Sequence, residues 1–100
     1  MLCMALLNEL LALQGNVPII LDLKEHVQVY QKQLERRIGV SGETIKRSVD
    51  FLLEKGFIKQ VPYDGTVPNV KSWLVLTDLG DKIGSCLLDC KRKLSGIKGY

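Results

Sequence analysis

Thr44, Lys46 and Arg47 stand within one turn of each other on the stretch GVSGETIKRSVDFLLEKGFI, Gly39 to Ile58. Its apolar residues Ile45, Val49 and Leu52 recur at helical spacing, with Leu53 at the edge, so the three polar residues fall on the opposite face. An arginine placed there can grip a guanine by two parallel hydrogen bonds; a threonine can meet a thymine methyl or a phosphate. Glu43 and Asp50 share the face, four residues from Arg47 and Lys46. The same residues therefore also fit two surface ion pairs, each stabilising by about 0.3 kcal/mol. The face is nearly neutral, and its position in the fold must decide between the two roles. Bond-making chemistry has less support. No paired acids, histidine-centred constellation or phosphate loop occurs around the single histidine, His26, so a non-enzyme without a cofactor is expected.

The elements that must position these residues follow from the neighbouring sequence. In YQKQLERRIGV, Tyr30, Leu34 and Ile38 form the stripe of a short helix. Gly39 supplies the left-handed residue that ends it, and Ser41 can cap the next helix. On the first of these helices Gln31, Lys32 and Arg36 or Arg37 face outward, towards phosphates if the partner is a nucleic acid. Gly56 ends the second helix as Gly39 ends the first. FIKQVPY reads as a strand, DGTVPN as a polar loop and VKSWLVLT as the return strand. Tyr63 and Trp73 are expected to pack on this hairpin, with Phe51 beneath it near Trp73. A final helix over 78–94, capped by Thr77 or Asp78, carries Leu79, Ile83, Cys86, Leu87, Cys90 and Leu94 as its stripe. Upstream, residues 2–14 read as an apolar helix and Gly15-Asn16-Val17-Pro18 as a turn. In 19–30, the alternation of Ile19, Leu21 and Leu23, and of Val27 and Val29, favours short extended segments, with a helical turn near 22–27 as the alternative.

The 100 residues are expected to form one domain, 46% hydrophobic and 25% charged, an ordinary globular balance. The net charge of +3 is unevenly spread: −2 over 1–30, +3 over 31–60, −2 over 61–90 and +4 over 91–100. Two basic blocks in an otherwise acidic chain suit an anionic partner, although the basic tail also serves solubility. The opening MLCMALLNELLAL is too short to span a bilayer and lacks the basic start and cleavage site of a signal peptide, which predicts a cytoplasmic protein with no membrane partner.

QLERRIGVSGETIKRSVDFLLEKGFI resembles the core of winged-helix regulators of the MarR type. Leu34, Gly39, Ser41, Thr44, Ile45, Arg47, Val49, Asp50, Leu52, Glu54, Lys55, Gly56 and Ile58 match that pattern in register, and Leu76-Thr77-Asp78-Leu79-Gly80 is similar to its Leu-Thr-x-x-Gly. The similarity covers roughly residues 30–82. It implies an α+β winged helix-turn-helix, a three-helix core with a β-hairpin wing and a C-terminal helix, and a homodimer on double-stranded DNA acting as a transcription regulator. The small size resembles compact regulators of archaea and their viruses. Units of 1–14 (dimerisation helix), 30–56 (helix-turn-helix), 57–77 (wing) and 78–94 (dimerisation helix) follow. The recognition helix would be 41–55. The residues that match or flank the motif assign base reading to Ser41, Thr44, Lys46 and Arg47, and phosphate contacts to Gln31, Lys32, Arg36 and Lys71. The apolar surplus of the first helix and the stripe of the last suggest an interface of Leu2, Leu6, Leu10, Ile83, Leu87 and Cys90.

Two departures stand out. Glu35 occupies a position that is usually small, which predicts a slightly wider helix packing. The wing, Asp64 to Asn69, has no base, and only Lys59 and Lys71 flank it. The wing without a base leaves open a protein–protein interaction module as the alternative. Cys3, Cys86 and Cys90 read as small buried apolar groups, a disulfide, or a thiol-based metal or redox sensor; no metal site is assigned.

Overall fold

A computed structural model describes the backbone of residues 8–98 and the side chains of residues 8–89. Residues 8–10 are helical and turns follow up to Gly15. Helix α1 spans Asn16–His26, strand β1 Gln28–Val29, α2 Gln31–Ile38, α3 Gly42–Glu54, β2 Ile58–Pro62, β3 Ser72–Leu76 and α4 Asp78–Lys98. The three strands form one antiparallel sheet in the order β1-β3-β2. The hairpin pairs Ile58 with Leu76 and Pro62 with Ser72, and β1 adds Gln28 opposite Val75 and Val29 opposite Leu74. Pro62, which lacks an N–H, sits at the end of an edge strand where the ladder loses nothing.

The α1 segment corrects the sequence reading. Asn16, Val17 and Pro18 open a helix instead of forming a turn, and 19–26 is helical instead of extended. Pro18 fits because the N–H it lacks would have no partner in the first turn. Ile19, Ile20 and Leu23 then share one buried face. Alternation of Ile19, Leu21 and Leu23 looked strand-like only because apolar residues also flank that face. The extended reading holds for Gln28 and Val29. The N-terminal helix expected to reach residue 14 stops at residue 10, and residues 2–7 lie outside the described residues. The last helix runs four residues beyond 94.

Val27 turns the chain from α1 into β1 with φ 70° and ψ −56°. Positive φ is costly for a β-branched residue, and the side chain is 73% exposed, so no packing offsets the strain.

One core joins all layers. Ile19, Ile20 and Leu23 of α1, Leu34 of α2, Ile45 and Leu52 of α3, and Leu74 of β3 meet there, each nearly or wholly out of water. The end of α3 is anchored twice. Gly56, at φ 80°, allows Phe57 N–H to reach Leu52 O at 2.9 Å and Gly56 N–H to reach Leu53 O at 3.2 Å, while the Phe57 and Leu52 side chains bury together. Thr77 then donates its hydroxyl to Gly56 O at 2.5 Å and accepts from Gly80 N–H at 3.1 Å, capping α4. A Cβ on Gly80 would stand 1.9 Å from Phe57 O. The Leu-Thr-x-x-Gly stretch thus fastens α4 directly onto the end of α3.

Candidate nucleic-acid interface

Helix α3 presents Glu43, Lys46, Arg47 and Asp50 to solvent and buries Ile45, Ser48, Val49 and Leu52. Ser41, with extended φ −61° and ψ 152°, accepts from Thr44 N–H at 3.2 Å as the helix cap. Its hydroxyl also lies 2.8 Å from Thr44 Oγ1. The Thr44 methyl faces α1, 3.8 Å from where a Gly15 Cβ would stand. Thr44 is half-buried, and its backbone N–H, not its hydroxyl, makes the cap.

Of the two expected ion pairs on this face, one forms. Arg47 Nη2 donates to Glu43 Oε1 at 2.8 Å, with both side chains at least 70% exposed. Lys46 and Asp50 make no ion pair among the described residues.

The arginines of α2, adjacent in sequence, have separate tasks. Arg37 donates from Nε to Asp22 Oδ2 at 2.9 Å and from Nη2 to Asp22 Oδ1 at 2.8 Å, clamping α2 to α1. That hydrogen bonding, more than the accompanying charge attraction, raises the Arg37 pKa above its ordinary value against the opposing effect of burial. Arg36 is exposed and makes no ion pair among the described residues. Arg36 is thus available to a ligand, and Arg37 is structural. Asp22, the partner that settles this, gave no sequence signal, because it lies 15 residues upstream in a segment read as extended.

Glu35, the residue that departs from the family pattern, is half-buried over the start of α3. Its Oε1 occupies the space that a Cβ on Gly42 would need, 2.8 Å away. Lys32 Nζ lies 3.7 Å from the same oxygen. A carboxylate at a helix N-terminus is favourably placed in the field of the helix. The missing side chain of Gly42 leaves room for it.

Gln31 and Lys32 in the first turn of α2 and Lys71 at the base of the wing line one open cleft of about 300 Å³, with Gln60, Ser72 and Asn69 adding polar groups and Val49 and Leu74 the apolar wall. The wing itself is braced. Trp73 Nε1 donates to Asp64 Oδ1 at 2.9 Å, and Val67 N–H donates to the Tyr63 hydroxyl at 3.0 Å. Tyr63 and Trp73 rings stand 4.7 Å apart, with Tyr30 at about 6 Å from both. Phe51 is not in this cluster, contrary to expectation; it is half-buried at the edge of the core with Lys55 Nζ 5.8 Å from its ring.

The expected dimer residues divide. Leu10 and Ile83 are 0% and 2% exposed within the single chain, so they have no surface to give a partner. Asn16 Nδ2 donates to Leu10 O at 3.1 Å, fixing that turn inside the protomer. Leu87 is half-buried. Leu2, Leu6 and the Cys90 side chain lie outside the described residues, as does Cys3; Cys86 is half-exposed. Among the described residues no group of three or more His, Cys, Asp or Glu is placed to hold a metal, and no helix is long and apolar enough to cross a membrane.

A helix, a left-handed glycine turn, a second helix and a hairpin, with the second helix fastened to the start of a long final helix, decide the architecture. The fold is a MarR-like winged helix. No protein-family model and no curated protein sequence matches the chain. Solved structures do. PefR in its heme-free form superposes with a TM-score of 0.69 at 24% identity, over 82% of this chain and 59% of that one. NMB1585, a MarR family regulator from Neisseria meningitidis, gives 0.68 at 18% identity, over 82% and 56%. The adhesin competence repressor AdcR from Streptococcus pyogenes gives 0.73 at 15% identity, over 96% and 70%. The chain therefore spans less than two thirds of the length of PefR and NMB1585.

Proposed function

We propose that this winged helix binds double-stranded DNA sequence-specifically as a homodimer and regulates transcription, with α3 in the major groove. The observation that carries the proposal is the separation of the bases into braced and available groups. Lys46, Arg36 and Lys71 are exposed and without ion pairs among the described residues, and Lys32 is held only at 3.7 Å. Arg37 is committed to the fold by a two-point carboxylate clamp, and Lys24 by an ion pair to Asp81 at 2.9 Å. Contacts of Gln31, Lys32, Arg36 and Lys71 to phosphates would fix register, while Lys46 and Arg47 reach base edges with Ser41 and Thr44 holding the helix start. Two such helices about 34 Å apart would address adjacent major grooves.

The dimer reading draws on Leu11, an apolar side chain 73% exposed near the N-terminus. Leu11→Asp is expected to yield monomers in sedimentation; retention of the parental mass places the interface elsewhere. DNA binding is tested by fluorescence anisotropy on duplexes enriched from a random pool. Lys71→Ala and Arg36→Ala are expected to weaken binding to every duplex alike, as phosphate contacts do.

A second reading, a winged helix that binds protein in place of DNA, draws on the wing loop, which has no base, and on Asp50 beside Lys46, which makes no ion pair among the described residues. Absence of duplex binding even at low salt favours it.

A further inference from the structure

Resting on the DNA reading above, we propose that the Glu43–Arg47 ion pair is a base-reading unit: Arg47 takes a guanine and Glu43 accepts from a cytosine amino group, so that each half-site carries a G·C pair at this position. Four observations lead there. First, the hydroxyls at the start of α3 are already engaged: Ser41 Oγ accepts from Thr44 N–H as the helix cap, and Ser41 and Thr44 share one hydroxyl–hydroxyl hydrogen bond. Glu43, Lys46 and Arg47 are the charged groups that the first two turns present to solvent. Second, the pair is held at 2.8 Å on a face that the fold does not use, 70% and 74% exposed. An exposed ion pair of this kind adds little to stability, so the domain does not depend on it. Third, the contact joins one Arg47 nitrogen to one Glu43 oxygen. The rest of the guanidinium fork remains for the O6 and N7 acceptors of guanine, and Oε2 remains for a donor.

The fourth point is complementarity. An acid on a DNA-facing helix repels phosphates, so Glu43 costs affinity unless it meets a donor. In the major groove a G·C pair presents two acceptors and then the cytosine amino donor, which matches donors on Arg47 followed by an acceptor on Glu43. An A·T pair in that place turns thymine O4, another acceptor, towards the carboxylate. Discrimination would come from repulsion as much as from attraction.

The test uses the full chain, its Glu43→Gln and Arg47→Lys variants, an enriched duplex and copies of it with each base pair replaced in turn. The parent is expected to lose about tenfold or more in affinity when one particular G·C pair is replaced. Glu43→Gln is expected to bind all duplexes as tightly or more tightly, and at that pair to flatten the preference or move it towards A·T. Arg47→Lys should weaken binding and flatten the same position. Thermal melts check that both variants fold. If Glu43→Gln keeps the parental preference at every position, the inference is wrong while DNA binding stands. If the parent binds no duplex at low salt, the DNA reading itself fails.

Discussion

Replacing Arg37 by Gln separates the two arginines of α2 by measurement. In the fold Arg37 holds Asp22 by two hydrogen bonds at 2.8 and 2.9 Å, and the Asp22 side chain keeps only 9% of its surface in water. Hydrogen bonds to charged partners contribute roughly 1.5–3 kcal/mol each. Arg37 itself is 33% exposed, so solvent screening takes away part of that sum. A loss of about 2 kcal/mol is expected for Arg37→Gln, which leaves a mostly buried carboxylate with only the His26 ring nitrogen beside it, 3.4 Å from Oδ1. For a domain of this size that lowers Tm by about 8–16 °C. Arg36→Gln, one residue away and exposed, is expected to stay within about 0.5 kcal/mol of the parent. Urea titrations of both variants, with Asp22→Asn and the Asp22→Asn/Arg37→Gln double variant, give the coupling energy directly. Equal stability of Arg37→Gln and the parent, or an equal loss in Arg36→Gln, would refute the division of roles.

Gly80→Ala is expected to cost about 3 kcal/mol in urea denaturation, because its methyl would press on the Phe57 carbonyl at 1.9 Å and main chain cannot step aside; an unchanged midpoint contradicts the close approach. Ser48→Ala should be neutral or stabilising by up to about 1 kcal/mol, since the buried Ser48 hydroxyl has no hydrogen-bond partner among the described residues. A clear loss there would mean that a partner exists. Val27→Gly should raise stability by about 1 kcal/mol: relief of roughly 1–3 kcal/mol of positive-φ strain, less the roughly 0.5–1 kcal/mol entropic cost of glycine. Lower thermal stability of that variant would show that the turn is unstrained.

What was legible in the sequence followed from local rules. The stripe of Ile45, Val49 and Leu52, the Ser41 cap, the left-handed stops at Gly39 and Gly56 and the β-branched hairpin each depend on a few neighbouring residues, and α2, α3 and the wing form where those signals lie. Residues 16–26 failed because α1 is apolar on more than one side, so its period is blurred, and because a Pro in the first turn of a helix looks like a Pro in a loop. At the candidate site the exposed face of α3 was readable. Contacts between distant segments were not. Asp22 selecting Arg37 over Arg36, Gly42 making room for Glu35, and the inward turn of the Thr44 methyl depend on where α1 crosses α2 and α3. Leu10 and Ile83 were assigned to an interface because an apolar stripe does not reveal whether its own chain or a second copy covers it; the single chain covers both.

In the proposed complex the bases left exposed on α2 and at the wing base neutralise DNA phosphates. The salt dependence of duplex affinity tests it most directly. With about three phosphates met by each protomer, through Lys32, Arg36 and Lys71, a dimer neutralises roughly six, and log K should fall against log salt with a slope of about −5. Lys71→Ala should reduce the slope by about 2 in the dimer, one unit per subunit. A slope near zero, or no duplex binding at low salt, would contradict the account.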